Sequence, residues 1–189
     1  MNQLQQHIQQ YFNVNEEITN QLIPLFEIKT VAKGKLLFKE SDRNMGLVFL
    51  SKGYFRIFRQ SPDKEITQWL SSPGEIVCDI NSLIFKHPSR WNVQAINECT
   101  VFHISQTNYE HIQKSIPEWS QVEKILLSKC FALLEERIYN FLSMTSEERY
   151  LFLYELNKAL FSNVPQQYLA SMLGMTPETF SRIRKKLIS

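Results

Sequence analysis

The residues best suited to chemistry lie near the end of the chain, on one face of a helix predicted to begin at Pro177. Its apolar residues Phe180, Ile183 and Leu187 recur at helical spacing and form a stripe along one side. The opposite side is polar and rich in hydrogen-bond donors, and comprises Glu178, Thr179, Ser181, Arg182, Lys185 and Lys186, with Arg184 beside them. Such a face suits the major groove of DNA, where an Arg side chain can form a forked hydrogen bond with guanine. The alternative is a terminal amphipathic helix with a solvated basic face.

A second helix is predicted just before this one, over residues 166–173. Gly174 follows it, where a chain leaving a helix needs a residue that accepts a positive φ. Thr176 is a suitable N-cap for the next helix, and Pro177 suits the first helical position. The small side chain of Ala170 lets the two helices cross closely. The spacing therefore predicts a helix-turn-helix, and with it double-stranded DNA as a partner.

Composition limits the other classes of function. The chain has 189 residues and a net charge of only +2, so affinity for nucleic acid must come from a local basic patch. No apolar run is long enough to span a membrane. The cysteines Cys78, Cys99 and Cys130 lack the spacing of a metal site, and no nucleophile–base pair is visible. We expect a cytoplasmic protein without a metal, a cofactor or enzymatic activity, although a catalytic set assembled from distant residues stays open.

Residues 29–105 have the pattern of a β domain, after two short helical segments at 4–12 and 16–28. Short apolar runs between turn residues predict strands at 36–38, 47–50, 54–58, 66–70, 93–96 and 100–104. In one run Arg56 alternates with Phe55 and Ile57, which predicts a strand with one buried face and one more solvated face. Many short strands of this kind indicate a sandwich or a barrel.

A long helix is predicted from Pro117 onward, and it carries two apolar lines. The first line is Trp119, Val122, Leu126, Cys130 and Leu133. The second line is Leu127, Phe131, Leu134, Ile138 and Phe141. A helix that is apolar on two faces must be covered on two sides, and the near-heptad spacing predicts that one side pairs with a second subunit. We assign the first line to the dimer interface. The alternative is burial of the helix within one monomer.

The chain is accordingly divided into an N-terminal β-barrel at 1–115, a long helix at 116–143 and a helix-turn-helix domain at 144–189. Thr145 and Glu148 have the spacing of a capping box, which places the linker near 143–146 and starts a helix that we extend to about Leu160. The predicted fold class is α+β.

This order of parts resembles the Crp/Fnr family of bacterial transcription regulators. The segment VAKGKLLFKESDRNMGLVFLSKGYFRIF at 31–58 resembles the opening of a jelly-roll-like cyclic-nucleotide-binding barrel, and VPQQYLASMLGMTPETFSRIRKKL at 164–187 resembles the DNA-reading motif of the family. The resemblance implies a homodimer that binds a palindromic operator. It also implies RNA polymerase and an unknown small-molecule effector as further partners, and no membrane.

The resemblance assigns base reading to two residues, Arg182 as a donor to guanine and Glu178 as an acceptor from cytosine N4. Pro177 stands where many family members have a third reader, often Arg, so we expect weaker or different specificity there. Phosphate contacts are expected from Thr176, Thr179, Ser181, Lys185 and Lys186, and from Gln166 and Gln167 at the start of the preceding helix. The alternative function is a small-molecule-binding signalling module whose C-terminal helices contact protein rather than DNA.

The segment that holds the ligand in nucleotide-binding members departs from the family pattern. Those members carry Gly-Glu-Leu and, further on, Arg followed by Ser or Thr. Here Cys78, Asp79 and Ile80 align with the first motif, and Ser89 and Arg90 fall at the second in reversed order. The neutral Ser89 then replaces a cation while Asp79 adds a carboxylate. We therefore predict that cyclic AMP does not bind, because a desolvated phosphate needs positive charge around it. A one-residue slip that returns Arg90 to the pocket stays open.

Overall fold

The computed structural model describes residues 3–188 and places eight antiparallel strands in two four-stranded sheets. The strands are β1 Glu27–Val31, β2 Leu36–Phe38, β3 Leu47–Lys52, β4 Phe55–Gln60, β5 Glu65–Ser71, β6 Ile76–Val77, β7 Asn92–Ala95 and β8 Cys99–Ile104. One sheet has the order β1-β8-β3-β6 and the other β2-β7-β4-β5, so β5 is an edge strand. The predicted α+β class with a β-rich N-terminal domain is confirmed.

Apolar side chains fill the space between the two sheets. The fully buried members include Val48, Phe55 and Val101, each 0% exposed. Gly46 permits a close approach of β3 to the end of β8, because a Cβ on this residue would lie 2.0 Å from the Ile104 carbonyl oxygen. Its φ of +68° also lies in the region that favours glycine. The barrel interior is therefore a packed core.

Helices surround the barrel. They are α1 Gln3–Phe12, α2 Glu16–Leu22 with a 3-10 turn at Ile23–Leu25, α3 Ile80–Phe85, α4 Gln106–Ser115 and α5 Trp119–Ser143. The first turns of α5 enter a buried cluster with α1, α4 and the outer side of one sheet. Trp119 lies at its centre, with its ring centroid 5.2 Å from that of Phe12 and 5.9 Å from that of Tyr109. The start of the long helix is thus fixed to the barrel.

Four shorter helices complete the chain. They are α6 Ser146–Leu156, α7 Lys158–Asn163, α8 Gln166–Met172 and α9 Pro177–Ile188. Thr145 and Glu148 form the predicted capping box. The predicted single helix to Leu160 is wrong, because it divides at Asn157, whose side-chain oxygen accepts from the Leu160 N–H and so starts α7. Gly174 turns the chain with a φ of +69°, as its position predicted.

The six strands predicted from the sequence are all present, within two residues at most of their ends. The helix predicted for 16–28 is wrong at its end, because residues 27–31 pair with 99–103 as strand β1. Strand β6 and helices α3 and α4 were not predicted. Within residues 3–188 no helix has both the length and the apolar character needed to cross a lipid bilayer.

The expectation of a solvated face on strand β4 is wrong. Arg56 is only 3% exposed, and its neighbour Phe58 on the same face is 7% exposed. The ring of Tyr168 on α8 lies 4.0 Å from the Arg56 guanidinium carbon, so the C-terminal helices cover this side of the strand. The sequence pattern of one strand does not reveal that a helix more than a hundred residues later in the chain packs on that strand and buries Arg56.

Candidate nucleic-acid interface

The polar face of α9 lies at the surface. Glu178, Arg182 and Lys185 are exposed, and together with Pro177 and Ser181 they line a shallow open concavity. Phe180 and Ile183 on the opposite side are buried against the other C-terminal helices. The amphipathic stripe therefore orients α9 so that its donor-rich side faces outward.

The two candidate base readers are chemically distinct. Hydrogen bonds from its own backbone N–H and from the Thr176 hydroxyl lower the pKa of Glu178, which keeps this carboxylate ionised and able only to accept. Arg182 forms no ion pair with any residue between 3 and 188. Its guanidinium donors therefore remain available to a partner outside the chain.

The other predicted phosphate-contacting residues differ in their surroundings. Gln166 and Gln167 are exposed at the start of α8, and Thr176 is exposed at the start of α9, where its Oγ1 accepts from the Thr179 N–H at 3.2 Å. Lys186 is already engaged, because its Nζ lies 2.9 Å from both carboxylate oxygens of Glu147 on α6. Such an exposed ion pair is weak and can be exchanged for a phosphate.

The dimer interface predicted from the first apolar line of α5 is wrong for three residues. Trp119, Val122 and Leu126 are 0%, 4% and 4% exposed, because α1, α4 and the barrel cover them within the same chain. Cys130 is half-buried at the edge of this cluster, and Leu133 is 59% exposed.

The second apolar line is the exposed one. Its members Leu127, Phe131, Leu134, Ile138 and Phe141 are between 38% and 62% exposed. The sequence correctly indicated two faces, one against the barrel and one open. It did not indicate which of the two faces lies against the barrel, because both lines are apolar and both recur at helical spacing.

The residues aligned with the nucleotide-binding motifs do come together, but they bind one another. Asp79 is buried at 4% exposure and caps α3, where its Oδ1 accepts from the Asn81 N–H at 2.9 Å and the Ser82 N–H at 3.3 Å. Its Oδ2 accepts from the Arg90 N–H at 2.9 Å and from the Ser89 hydroxyl at 3.4 Å. This carboxylate therefore occupies the donors that a phosphate would need.

The remaining residues of this segment do not form an anion site. Arg90 is exposed, Ile80 begins α3 and is half-buried, and Cys78 packs against the cluster that surrounds Trp119. Burial raises the pKa of the Cys78 thiol to about 12, so this side chain is neutral at physiological pH. Gly74 and Glu75 lie in the turn before β6, and Glu75 accepts from the Trp69 indole N–H at 2.9 Å.

Both ring nitrogens of His103 have partners within the chain. Its Nε2 lies 2.8 Å from the Met45 carbonyl oxygen and its Nδ1 lies 2.8 Å from the Lys29 Nζ. Because a carbonyl only accepts and an ammonium only donates, the ring is neutral with its proton on Nε2. Burial lowers the pKa of His103, in agreement with this state. No group of side chains within residues 3–188 has the arrangement of a metal site.

Comparison with known proteins agrees with this architecture. Residues 28–115 match the sequence model of the cyclic nucleotide-binding domain. A curated relative, mouse patatin-like phospholipase domain-containing protein 7, is 23% identical over 90 residues, and the match spans 47% of this chain but only 7% of that protein.

Two solved structures are similar over almost the whole chain. The global regulator CLP of Xanthomonas campestris, described as responsive to c-di-GMP, has a TM-score of 0.71 and 17% identity, with 92% of this chain and 91% of that chain covered. A protein of Eubacterium rectale assigned to the Crp/Fnr family of transcriptional regulators has a TM-score of 0.71 and 16% identity, with 96% and 87% covered.

The barrel is therefore similar to cyclic nucleotide-binding domains over residues 28–115. The chain as a whole has the fold of the Crp/Fnr transcription regulators, as the sequence resemblance predicted.

Proposed function

We propose that this protein is a transcription regulator that binds a palindromic DNA operator as a homodimer. The observation that carries the proposal is the exposed polar face of α9, where Arg182 and Lys185 have no ionic partner within the described residues. Arg182 donates to guanine and the ionised Glu178 accepts from cytosine, while the helix ends hold phosphates.

A second copy of the chain covers the exposed line of α5. Phe131 and Ile138 are 62% and 52% exposed, and an open face of this kind on a 25-residue helix matches a two-stranded coiled coil better than contact with water. Two-fold symmetry then presents two reading helices to successive major grooves, about 34 Å apart. The operator accordingly has two inverted half-sites.

The barrel does not bind cyclic AMP. A cyclic phosphate enters a low-dielectric site only if N–H donors and a cation replace its water. Here the donors at the start of α3 and at Arg90 are satisfied by the Asp79 carboxylate, which would also repel the phosphate. The DNA-binding state is therefore intrinsic or is set by a less charged effector.

Selection of bound fragments from a genomic library tests the main proposal, followed by a gel shift on the selected sequence at two salt concentrations. We expect a palindromic consensus and an affinity that falls steeply with salt, because phosphate contacts release counterions. Binding without a common sequence, or no binding at all, would contradict the proposal. Capture of a protein partner at the α9 face with no DNA binding would favour a signalling module instead.

A further inference from the structure

The DNA-binding helices are joined to the barrel at strand β5. This edge strand has an outward N–H at Thr67, which donates to the Ser171 hydroxyl on α8 at 2.9 Å. Two barrel residues, Leu70 and Ile96, lie in the same buried cluster as the C-terminal helices. Helix α8 therefore covers the open edge of the sheet, and barrel residues complete the core beneath it.

A buried arginine lies between the two parts. The Arg56 guanidinium on β4 is stacked between the rings of Phe58 and Tyr168, 4.2 Å and 4.0 Å from their centroids. Its Nε donates to Thr67 Oγ1 at 2.9 Å, and its Nη1 pairs with Glu65 at 2.6 Å. All of its polar partners are on the hairpin β4–β5, so this arginine gives the hairpin a flat cationic surface on which the Tyr168 ring rests.

A second arginine, Arg137, reaches both parts from the long helix α5. Its Nη1 donates to the Gln68 carbonyl on β5, and its Nη2 donates to the Met172 carbonyl at the end of α8 at 3.2 Å. Its guanidinium carbon also lies 5.6 Å from the centroid of the Trp69 ring. Arg137 thus contacts three elements: the long helix, the barrel and the DNA-binding domain.

The end of α5 also holds the turn between α8 and α9. Phe141 lies against Gly174, where an added Cβ would come within 2.8 Å of its ring. Arg149 stacks on the same ring at 4.9 Å and donates from Nε to the Leu173 carbonyl at 3.1 Å. The last carbonyls of α8 are therefore capped by two guanidinium groups, Arg137 and Arg149, which also oppose the helix dipole.

The bonding of Arg137 has an unusual property. Among residues 3–188 no carboxylate pairs with it, and its acceptors are carbonyl groups on two different domains. The side chain is half-buried, so loss of these acceptors leaves a partly desolvated cation unpaired, which is unfavourable. Arg137 therefore keeps both protein acceptors only while β5 and α8 keep their present positions relative to α5.

We propose that Arg137 is a positioning residue that fixes the angle between the reading helix α9 and the barrel. Any displacement of the β4–β5 hairpin moves the Gln68 carbonyl, and Arg137 transmits that displacement to α8 and its turn. We call this contact between strand β5, helix α5 and helix α8 the joint. The joint acts as a rigid connection rather than a free hinge. It leaves the polar face of α9 exposed. This inference concerns the orientation of two parts of one chain, so it can be tested without DNA.

Hydrogen exchange at the Thr67 amide reports the joint directly, because its acceptor Ser171 lies on the other domain. We expect Arg137→Met to speed exchange at Thr67 by roughly tenfold or more, since a local opening becomes accessible. Exchange at Tyr109, which donates to the Ser105 carbonyl at the start of α4 and lies away from this contact, should not change. The matched control is Arg59→Met, because Arg59 lies on the same hairpin but pairs with Glu40 of the barrel.

A conservative Arg137 variant distinguishes a positioning role of this residue from simple packing. Arg137→Lys can donate to one carbonyl but lacks the planar fork, so it should restore part of the protection at Thr67. If Arg137→Met does not fold, Arg137→Gln removes the charge and the forked donation but keeps a polar side chain, and it should give the same acceleration. Unchanged exchange at Thr67 in a folded Arg137→Met or Arg137→Gln protein would overturn the proposal.

A second measurement connects the joint with DNA. With the operator selected for the full chain, Arg137→Met should lose affinity and tolerate half-site spacings that the unaltered protein rejects. An Arg137→Met protein with the same spacing preference as the parent would contradict the positioning role. If the parent protein binds no DNA, the proposed function fails, and hydrogen exchange alone decides whether the joint is rigid.

Discussion

The Asp79 carboxylate accepts a hydrogen bond of 2.9 Å from the backbone N–H of Arg90, so the two segments that the sequence aligns with the nucleotide-binding motifs are bonded directly to each other. The same carboxylate caps helix α3 through the Asn81 N–H. A single buried charge thus closes the loop and starts the helix. It does so with the N–H groups of Asn81 and Arg90, which are therefore already engaged within the chain.

We expect Asp79→Asn to lower the free energy of unfolding by about 1–3 kcal/mol, because an amide is a weaker acceptor and its NH₂ group faces the Arg90 N–H. Urea denaturation measures the change. Asp63→Asn, at the exposed tip of the β4–β5 hairpin, is the matched control and should be neutral.

In calorimetric titration neither the parent nor Arg90→Ala should bind cyclic AMP. Micromolar binding that is lost in Arg90→Ala would show that Arg90 enters the pocket.

Arg182→Ala should abolish the preference for the selected operator while the fold is kept, because it removes base contacts that contribute about 1–3 kcal/mol. Lys185→Ala should instead weaken all sequences alike and reduce the salt dependence. Lys185 is a cleaner phosphate probe than Lys186, whose Nζ is paired with Glu147. Gel shifts on specific and random DNA decide between the two roles, and equal losses in both variants would reject the assignment.

Phe131→Glu should yield monomers, since a carboxylate in the packed interface has no partner, and we expect dimerisation roughly 100-fold weaker. Light scattering over a dilution series measures it. Leu126→Glu should unfold the chain rather than separate subunits, because Leu126 is 4% exposed within one copy. Ala132→Glu, an exposed position on another side of α5, is the control. A folded, dimeric Phe131→Glu protein would place the interface elsewhere.

Stability should fall as the pH is lowered below about 6.5, the ordinary pKa of histidine, because of His103. Burial lowers the pKa of His103 in the folded chain, so below that pH the unfolded chain takes up a proton that the folded chain does not. The contribution of His103 to stability is complete above the pKa that this residue has in the unfolded chain. It is lost as the pH falls from that value to the lower pKa of His103 in the folded chain. Urea midpoints at pH 7 and pH 5 measure the loss. His103→Gln should flatten this dependence, whereas His87→Gln, at an exposed residue, should not.

Much of the local structure could be predicted because it depends on neighbouring residues. The turn at Gly174, the cap at Thr176 and the capping box at Thr145 each require only a few positions. The same holds for the amphipathic face of α9. These features identify the candidate reading face without knowledge of the rest of the chain.

The errors concern contacts between distant segments. The covered face of α5 depends on α1 and α4, and the burial of Arg56 depends on Tyr168, 112 positions later in the numbering. Arg137 was missed altogether, because an arginine on a helix is usually a solvated residue. Its role depends on the backbone carbonyl groups of Gln68 and Met172. Every residue has such a group, so the residue types in the sequence do not indicate these acceptors.

The presence of Leu70 and Ile96 in the hydrophobic core of the C-terminal helices has a consequence for modularity. A fragment cut at the linker near Met144 would lose part of its core and Arg137, one of the two arginines that cap α8. The boundary between cooperative folding units therefore need not coincide with the boundary between sequence domains. We expect the C-terminal helices α6 to α9 to resist transplantation onto another barrel unless the β4–β5 hairpin is transferred with them.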